Sequence, residues 1–152
     1  MKQKVFSWRD RFLIKDEAGN DRYTAQGEIL SMGKKLRVYH AGGMEAAFIK
    51  QKVFSFLPRF LVEFNGHVVC EIVKEFTLFK QSYRLHGPPW HLSGDFWAHE
   101  YILMENSQLI MQLSKKWFTW GDSYELDIPH PQNELICLCI ALAVDCALAL
   151  QD

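Results

Sequence analysis

Residues 135–150 read Leu-Ile-Cys-Leu-Cys-Ile-Ala-Leu-Ala-Val-Asp-Cys-Ala-Leu-Ala-Leu, and fifteen of these sixteen are hydrophobic, Asp145 being the exception. Pro129 and Pro131 end whatever precedes the run, Asn133 offers a helix N-cap and Glu134 an acidic first turn, so a helix is predicted over residues 134–151. Such a helix is about 27 Å long. Apolar on every face, it belongs in a protein interior or in a bilayer. A membrane span wants about 20 apolar residues without a charge. Here Asp145 lies well inside the run and no basic flank follows, and a carboxylate at that depth costs about 2.5–3.5 kcal/mol. Enclosure by the rest of the chain is the favoured reading, and a tail anchor through residues 134–151 is the alternative. Ala141, Ala143, Ala147 and Ala149 suit close packing against surrounding elements. Asp145, unpaired in a core, would cost several kcal/mol, so it is expected to bond near the mouth of whatever encloses it, in a structural role.

The remainder of the chain supplies that enclosure. Residues 2–128 alternate apolar with polar positions in segments of five to eight, separated by Gly19-Asn20-Asp21, Gly42-Gly43, Asn65-Gly66, Gly87-Pro88-Pro89 and Asn106-Ser107. Asn65-Gly66 is the strongest of these, since the pair supplies the two positive φ values of a type I′ hairpin. About twelve strands result, at the spacing of an antiparallel barrel or sandwich. Internal repetition sharpens the picture: residues 2–14 match residues 50–62 without a gap, with nine of thirteen positions identical. Weaker copies begin at Lys116-Trp117-Phe118-Thr119-Trp120 and Lys74-Glu75-Phe76-Thr77-Leu78. Each copy is expected to form a strand, a tight turn and a returning strand with an aromatic on the inner face, one unit copied around a closed architecture.

With 152 residues, a net charge of −1 and ordinary glycine and proline content, the chain suits a single globular domain over residues 1–152 and lacks the basic excess of a nucleic-acid binder. The N-terminus shows no continuous apolar stretch of the secretory kind. Cys70, Cys137, Cys139 and Cys146 form no disulfide framework and no metal-site spacing, so buried, reduced thiols and a cytoplasmic setting are expected.

The hairpin segment Ile49-x-Gln51-Lys52-x-Phe54-Ser55 leading to Arg59-Phe60-x-Val62, the stretch Trp90-x-Leu92-x-Gly94-x-Phe96-Trp97 with Tyr101-x-Leu103, then Leu113-Ser114-Lys115-Lys116 and the closing apolar helix with Val144-Asp145 resemble the LURP-one-related family of the tubby-like superfamily. The resemblance covers about residues 2–151. It implies a mainly β fold, a twelve-stranded antiparallel closed barrel around one central hydrophobic C-terminal helix. Tubby domains bind phosphoinositide headgroups through outward-facing basic residues, and Lys34-Lys35-Leu36-Arg37 is the local counterpart. The acidic calcium-loop motif of scramblases is absent near the last helix, so lipid translocation is not implied.

Charge is lopsided: residues 1–59 carry twelve Lys or Arg against six Asp or Glu, and residues 60–152 five against twelve. Lys34, Lys35, Arg37, Lys50 and Lys52 are therefore candidate lipid- or anion-binding residues, although lysines also occupy the outer positions of exposed strands simply to blunt edge pairing. Phe54, Phe60, Trp90, Trp97 and Asp145 are expected in the structural core. No nucleophile elbow, P-loop, paired carboxylates or metal-ligand spacing occurs, so no catalytic residue, metal or cofactor is expected. The expected function is that of a non-enzymatic binding or scaffold domain at a membrane surface, with acidic phospholipid headgroups or a protein as partner. A small-molecule-binding protein or enzyme built on Trp90–Glu100, with His91, His99 and Glu100 converging, is the rival.

Overall fold

The computed structural model describes residues 1–28, 32–116 and 122–151. Twelve strands run through these residues: β1 (Lys2–Trp8), β2 (Arg11–Asp16), β3 (Asp21–Gly27), β4 (Lys35–His40), β5 (Glu45–Gln51), β6 (Arg59–Phe64), β7 (His67–Lys74), β8 (Tyr83–His86), β9 (His91–Asp95), β10 (Glu100–Glu105), β11 (Gln108–Lys116) and β12 (Asp122–Asp127). A 3₁₀ turn (Pro131–Asn133) then leads into α1 (Glu134–Ala149). Except for β8 and β9, strands consecutive in sequence pair antiparallel, and β1 pairs with β12, so the sheet order is β8-β7-β6-β5-β4-β3-β2-β1-β12-β11-β10-β9. The two ends of this sheet, β8 and β9, come to lie side by side. Aromatic rings meet at that seam: Phe96 stacks edge-on against Tyr83, with centroids 4.9 Å apart, and lies 5.1 Å from Tyr101. Gly94 (φ +140°) makes the tight β9–β10 approach possible, since a Cβ there would sit 2.5 Å from the Glu100 carbonyl oxygen.

Strand periodicity sends alternate residues inward. Val5, Phe12, Ile14, Val38, Ile49, Phe60, Val62, Ile72, Leu103, Leu113 and Leu126 form one continuous core with α1. A barrel of twelve strands is too wide for its own side chains to fill. The helix occupies that space, buried from Cys137 to Val144 on all faces and lying against β5, β6, β7 and β11. Its length and composition would suffice to cross a membrane, yet here the barrel wall surrounds it. Asn133 makes no side-chain cap bond; the helix start is held instead through Glu134. Gln3 donates to its Oε1 (2.7 Å), and Arg22 donates from Nη2 to Oε1 (2.9 Å) and to Oε2 (2.8 Å).

Two expectations about aromatics require correction. Phe60 is buried and Trp90 packs partly buried against the core, but Phe54 is 92% exposed and Trp97 is 52% exposed. For Phe54 the reason is a slip between the two long repeats. In the first copy Phe12 pairs with Ser7, across a turn at Arg9 and Asp10. In the second its counterpart Phe60 pairs with Gln51, four residues further back, and Lys52 N–H donates to the Arg59 carbonyl (2.8 Å) to close the longer loop 53–58. Arg9 turns with φ +54°. Its counterpart Leu57 precedes Pro58, which biases it toward extended backbone and denies the tight turn. The copy at Lys74–Leu78 opens no strand: Lys74 ends β7, and residues 75–78 belong to the loop that joins β7 to β8. Most of the copy at Lys116–Trp120 lies outside the described residues. Trp97 follows buried Phe96 in the turn after β9, where Asp95 Oδ1 accepts from Ala98 N–H (3.0 Å) and His99 adopts φ +53°. The turn lets only one of the adjacent rings enter the barrel.

Candidate functional site

The outward direction of Lys35 and Arg37 follows from the inward direction of Leu36 and Val38 on β4, and Lys35 stands opposite Lys50 of β5. Carboxylates answer most of this charge. Arg37 donates to Glu28 (3.0 Å) and Glu45 (2.7 Å), bonds that push its pKa up, and its guanidinium lies 4.1 Å above the Phe48 ring. Lys50 pairs with Glu63 (3.0 Å) and Lys34 with Asp10 (3.2 Å). Lys35 and Lys52 form no ion pair among the described residues, and the same holds for Arg9 and Lys80. The five candidates thus divide by partner: Arg37, Lys50 and Lys34 are answered by carboxylates, whereas Lys35, level with Lys50 across the β4–β5 pair, and Lys52 are not, and the lysines lie toward one end of the barrel.

That end is defined by topology. In an antiparallel meander successive connections alternate between the two ends, so the turns and loops after β1, β3, β5, β7, β9 and β11 share one end, and the C-terminus of α1 emerges there. A cleft of about 410 Å³ opens at this end, lined by Arg9, Asp10, Lys34, Lys35, Gln51 and, from the helix, Asp145, Cys146 and Leu150. Gln51 Oε1 accepts from the Lys34 backbone N–H (3.0 Å), which ties the loop before β4 to β5. The expected bonding of Asp145 at the barrel mouth takes the form of a Tyr124 hydroxyl donating to its Oδ1 (3.2 Å). Burial pushes the Cys146 thiol up to about 12, so it stays protonated and non-nucleophilic near neutrality. Cations at this cleft can hold an anion by charge, and Asp10 and Asp145 restrict where that anion sits.

The same end carries an unusual set of exposed rings. Trp8 precedes the first turn, Phe54 and Phe56 stand on the loop after β5, Phe76 and Phe79 on the loop after β7, and Trp97 on the turn after β9. Phe56 and Phe79 are each 98% exposed. At the opposite end the large apolar side chains that stand out are Met1, Met44 and Val68.

The Trp90–Glu100 residues do not converge. His91 pairs with Met104 and Glu100 with Asp95, at opposite ends of the β9–β10 hairpin, about 13 Å apart along the strands. His91 lines an outer cleft with Pro88 and Pro89, whereas His99 stacks on Tyr124 (4.9 Å) beside Asp145. Glu134, expected only as an acidic first-turn residue, gathers Gln3 and Arg22 and lies beside Tyr23. Burial and the Glu134 charge together push the Tyr23 hydroxyl up to about 12. The available signal was Gln3, a polar residue in phase with inward Val5. Exposure of Phe54 and Phe56 was signalled by Pro58.

Comparison with known proteins agrees with this architecture. The chain is 37% identical over 148 residues to the uncharacterized protein YxjI of Bacillus subtilis, an alignment covering 97% of this chain and 91% of that protein. It superposes on an X-ray structure of an Arabidopsis thaliana protein with a TM-score of 0.66 at 13% identity, covering 95% of this chain and 89% of the other. At that identity the likeness concerns the fold. The family model for LURP-one-related proteins matches residues 1–145, and on these grounds the chain belongs to the LURP-one-related family.

Proposed function

We propose that this protein is a non-enzymatic binding module that recognises acidic phospholipid headgroups, working peripherally at the cytoplasmic face of a membrane. The observation that carries this reading is the group of cations at one barrel end without ion-pair partners among the described residues: Arg9 and Lys35, which line the cleft together with Lys34, and Lys52, which follows Gln51 of its lining. Cations whose charge is already answered, such as Arg37 and Lys50, offer an anion little; free ones attract it, by about 1 kcal/mol each near an anionic surface. Four buried thiols suit a reducing compartment.

Co-sedimentation with vesicles of phosphatidylcholine alone, or with phosphatidylserine or a phosphoinositide added, tests the reading. Binding should require the anionic lipid, weaken as salt rises, and fall in Lys35→Glu/Lys52→Glu. Equal binding to both vesicle types, or the same binding by the double variant, overturns it.

A further inference from the structure

We infer that the loops after β5 and β7 enter the interfacial layer of a bilayer, so that the protein stands on the membrane on this barrel end rather than lying on its side. The inference takes the membrane surface as partner from the headgroup reading above, but it makes a separate claim, apolar contact below the headgroups.

The two loops are neighbours on the rim, because β5, β6, β7 and β8 are consecutive in the sheet. Together they present Val53, Phe54, Phe56, Phe76, Leu78 and Phe79 to solvent, with three of the four phenylalanines more than nine-tenths exposed or close to it and Phe76 at 75%. Isolated exposed apolar residues are ordinary, but a contiguous group of this size marks an interaction surface. Its shape narrows the partner. Phe76 borders an outer cleft with Leu57 and Val73, but Phe54, Phe56 and Phe79 stand out from their loops almost fully exposed, an arrangement that suits entry into a soft layer better than fitting against a rigid partner. Lys52 at the root of one loop and Lys80 within the other carry no ion pair among the described residues, which matches an anionic lipid surface. A second copy fits poorly, since a two-fold pairing through this rim would bring Lys52 and Lys80 toward their own counterparts. Amphipathic and aromatic side chains at the level of the headgroups are the arrangement expected of an interfacial anchor.

The buried state of all four native thiols allows site-specific labelling of the full chain. Phe79→Cys, Phe54→Cys and, at the far end, Val68→Cys are each labelled with an environment-sensitive fluorophore and mixed with phosphatidylcholine vesicles with and without phosphatidylserine. A blue shift with increased emission at positions 79 and 54, and none at 68, is expected. Phe54→Asp/Phe79→Asp should lower vesicle affinity at least tenfold while its thermal melt stays unchanged; Phe56→Ser provides a milder variant in the same direction. Salt-sensitive binding to anionic vesicles without a shift at 79 or 54 overturns insertion and leaves headgroup recognition standing. A shift on phosphatidylcholine alone, with no preference for the anionic lipid, does the reverse. A dimer in sedimentation that Phe54→Asp/Phe79→Asp dissolves overturns insertion in favour of self-pairing.

Discussion

Arg22 on β3 holds both carboxylate oxygens of Glu134, the first residue of α1, through one Nη2 at 2.9 and 2.8 Å, with Nε adding a third contact at 3.2 Å. The carboxylate is nearly buried while the guanidinium keeps two-fifths of its exposure, so the pair sits between the buried and surface regimes. Glu134→Ala leaves Gln3 and Arg22 facing an apolar helix end. We expect a loss of about 2–3 kcal/mol, read as a lower urea midpoint with an unchanged slope. Arg22→Ala should cost less than Glu134→Ala because the arginine site can rehydrate. A loss below about 0.5 kcal/mol for Glu134→Ala would show that the helix start does not depend on this contact.

The two phenylalanines that occupy equivalent places in nearly the same stretch, Phe6 of the first copy and Phe54 of the second, end in different settings, and Phe54 differs even more from Phe60 a few residues on. Phe60 is 1% exposed and Phe54 is 92% exposed. Phe60→Ala should cost about 3–5 kcal/mol, and Phe54→Ala should fall within about 0.5 kcal/mol of the parent. Equal losses would contradict the loop placement of residues 53–58.

Cys70, Cys137 and Cys146 have thiols pushed up to about 12 by burial, and burial raises Cys139 further still. Near pH 8 a thiol of pKa about 12 is about 10⁻⁴ ionised, against about a quarter for a free cysteine. A thiol-specific colorimetric reagent should therefore find no fast-reacting group in the native protein and four after denaturation. A fast native thiol would point to Cys146, which lines the open-end cleft.

Tyr23 and Tyr83 are each raised from 10 to about 12, in both cases chiefly by burial. An acid whose folded pKa exceeds its unfolded one contributes stability that is complete below the unfolded value and lost as pH climbs toward the folded one, because the unfolded chain releases its proton first. Stability should hold to about pH 10 and fall between 10 and 12, by about 1–2 kcal/mol for each tyrosine. Denaturant titrations across that interval, followed alongside tyrosinate absorbance, check the sign. Tyr23→Phe should flatten the slope.

The barrel and its helix were legible because both rest on patterns that read directly from sequence: an apolar run interrupted by a single carboxylate, Asp145, and alternation broken at turn residues such as Asn65-Gly66, whose φ values of 51° and 79° fit the expected hairpin. The basic candidates were legible only as positions. Whether a lysine is free depends on which carboxylates the sheet brings beside it, and Glu63 beside Lys50 or Asp10 beside Lys34 are tertiary facts. Glu134 was missed for the same reason, since a first-turn glutamate is ordinarily solvated and only the wrap of β1 and β3 around the helix start buries it. Trp97 and Phe54 lie outside the core although each stands in a strand-like stretch, because the turn geometry after Phe96 and before Pro58 decides the direction of the ring.

The four-residue slip between the repeats is an even number, and the strand period is two. Phe12 and Phe60 therefore both remain inside although their partners differ. Slippage by an odd number would have turned the whole returning strand inside out. The duplicated segment thus contains two parts under different constraint, a returning strand whose residues the core dictates and a leading half free to leave the wall. Within residues 53–57 the side chains of Phe54 and Phe56 are the ones that leave the wall almost entirely, so changes at these two positions alter what the rim presents to its surroundings while the frame behind them stays as it is.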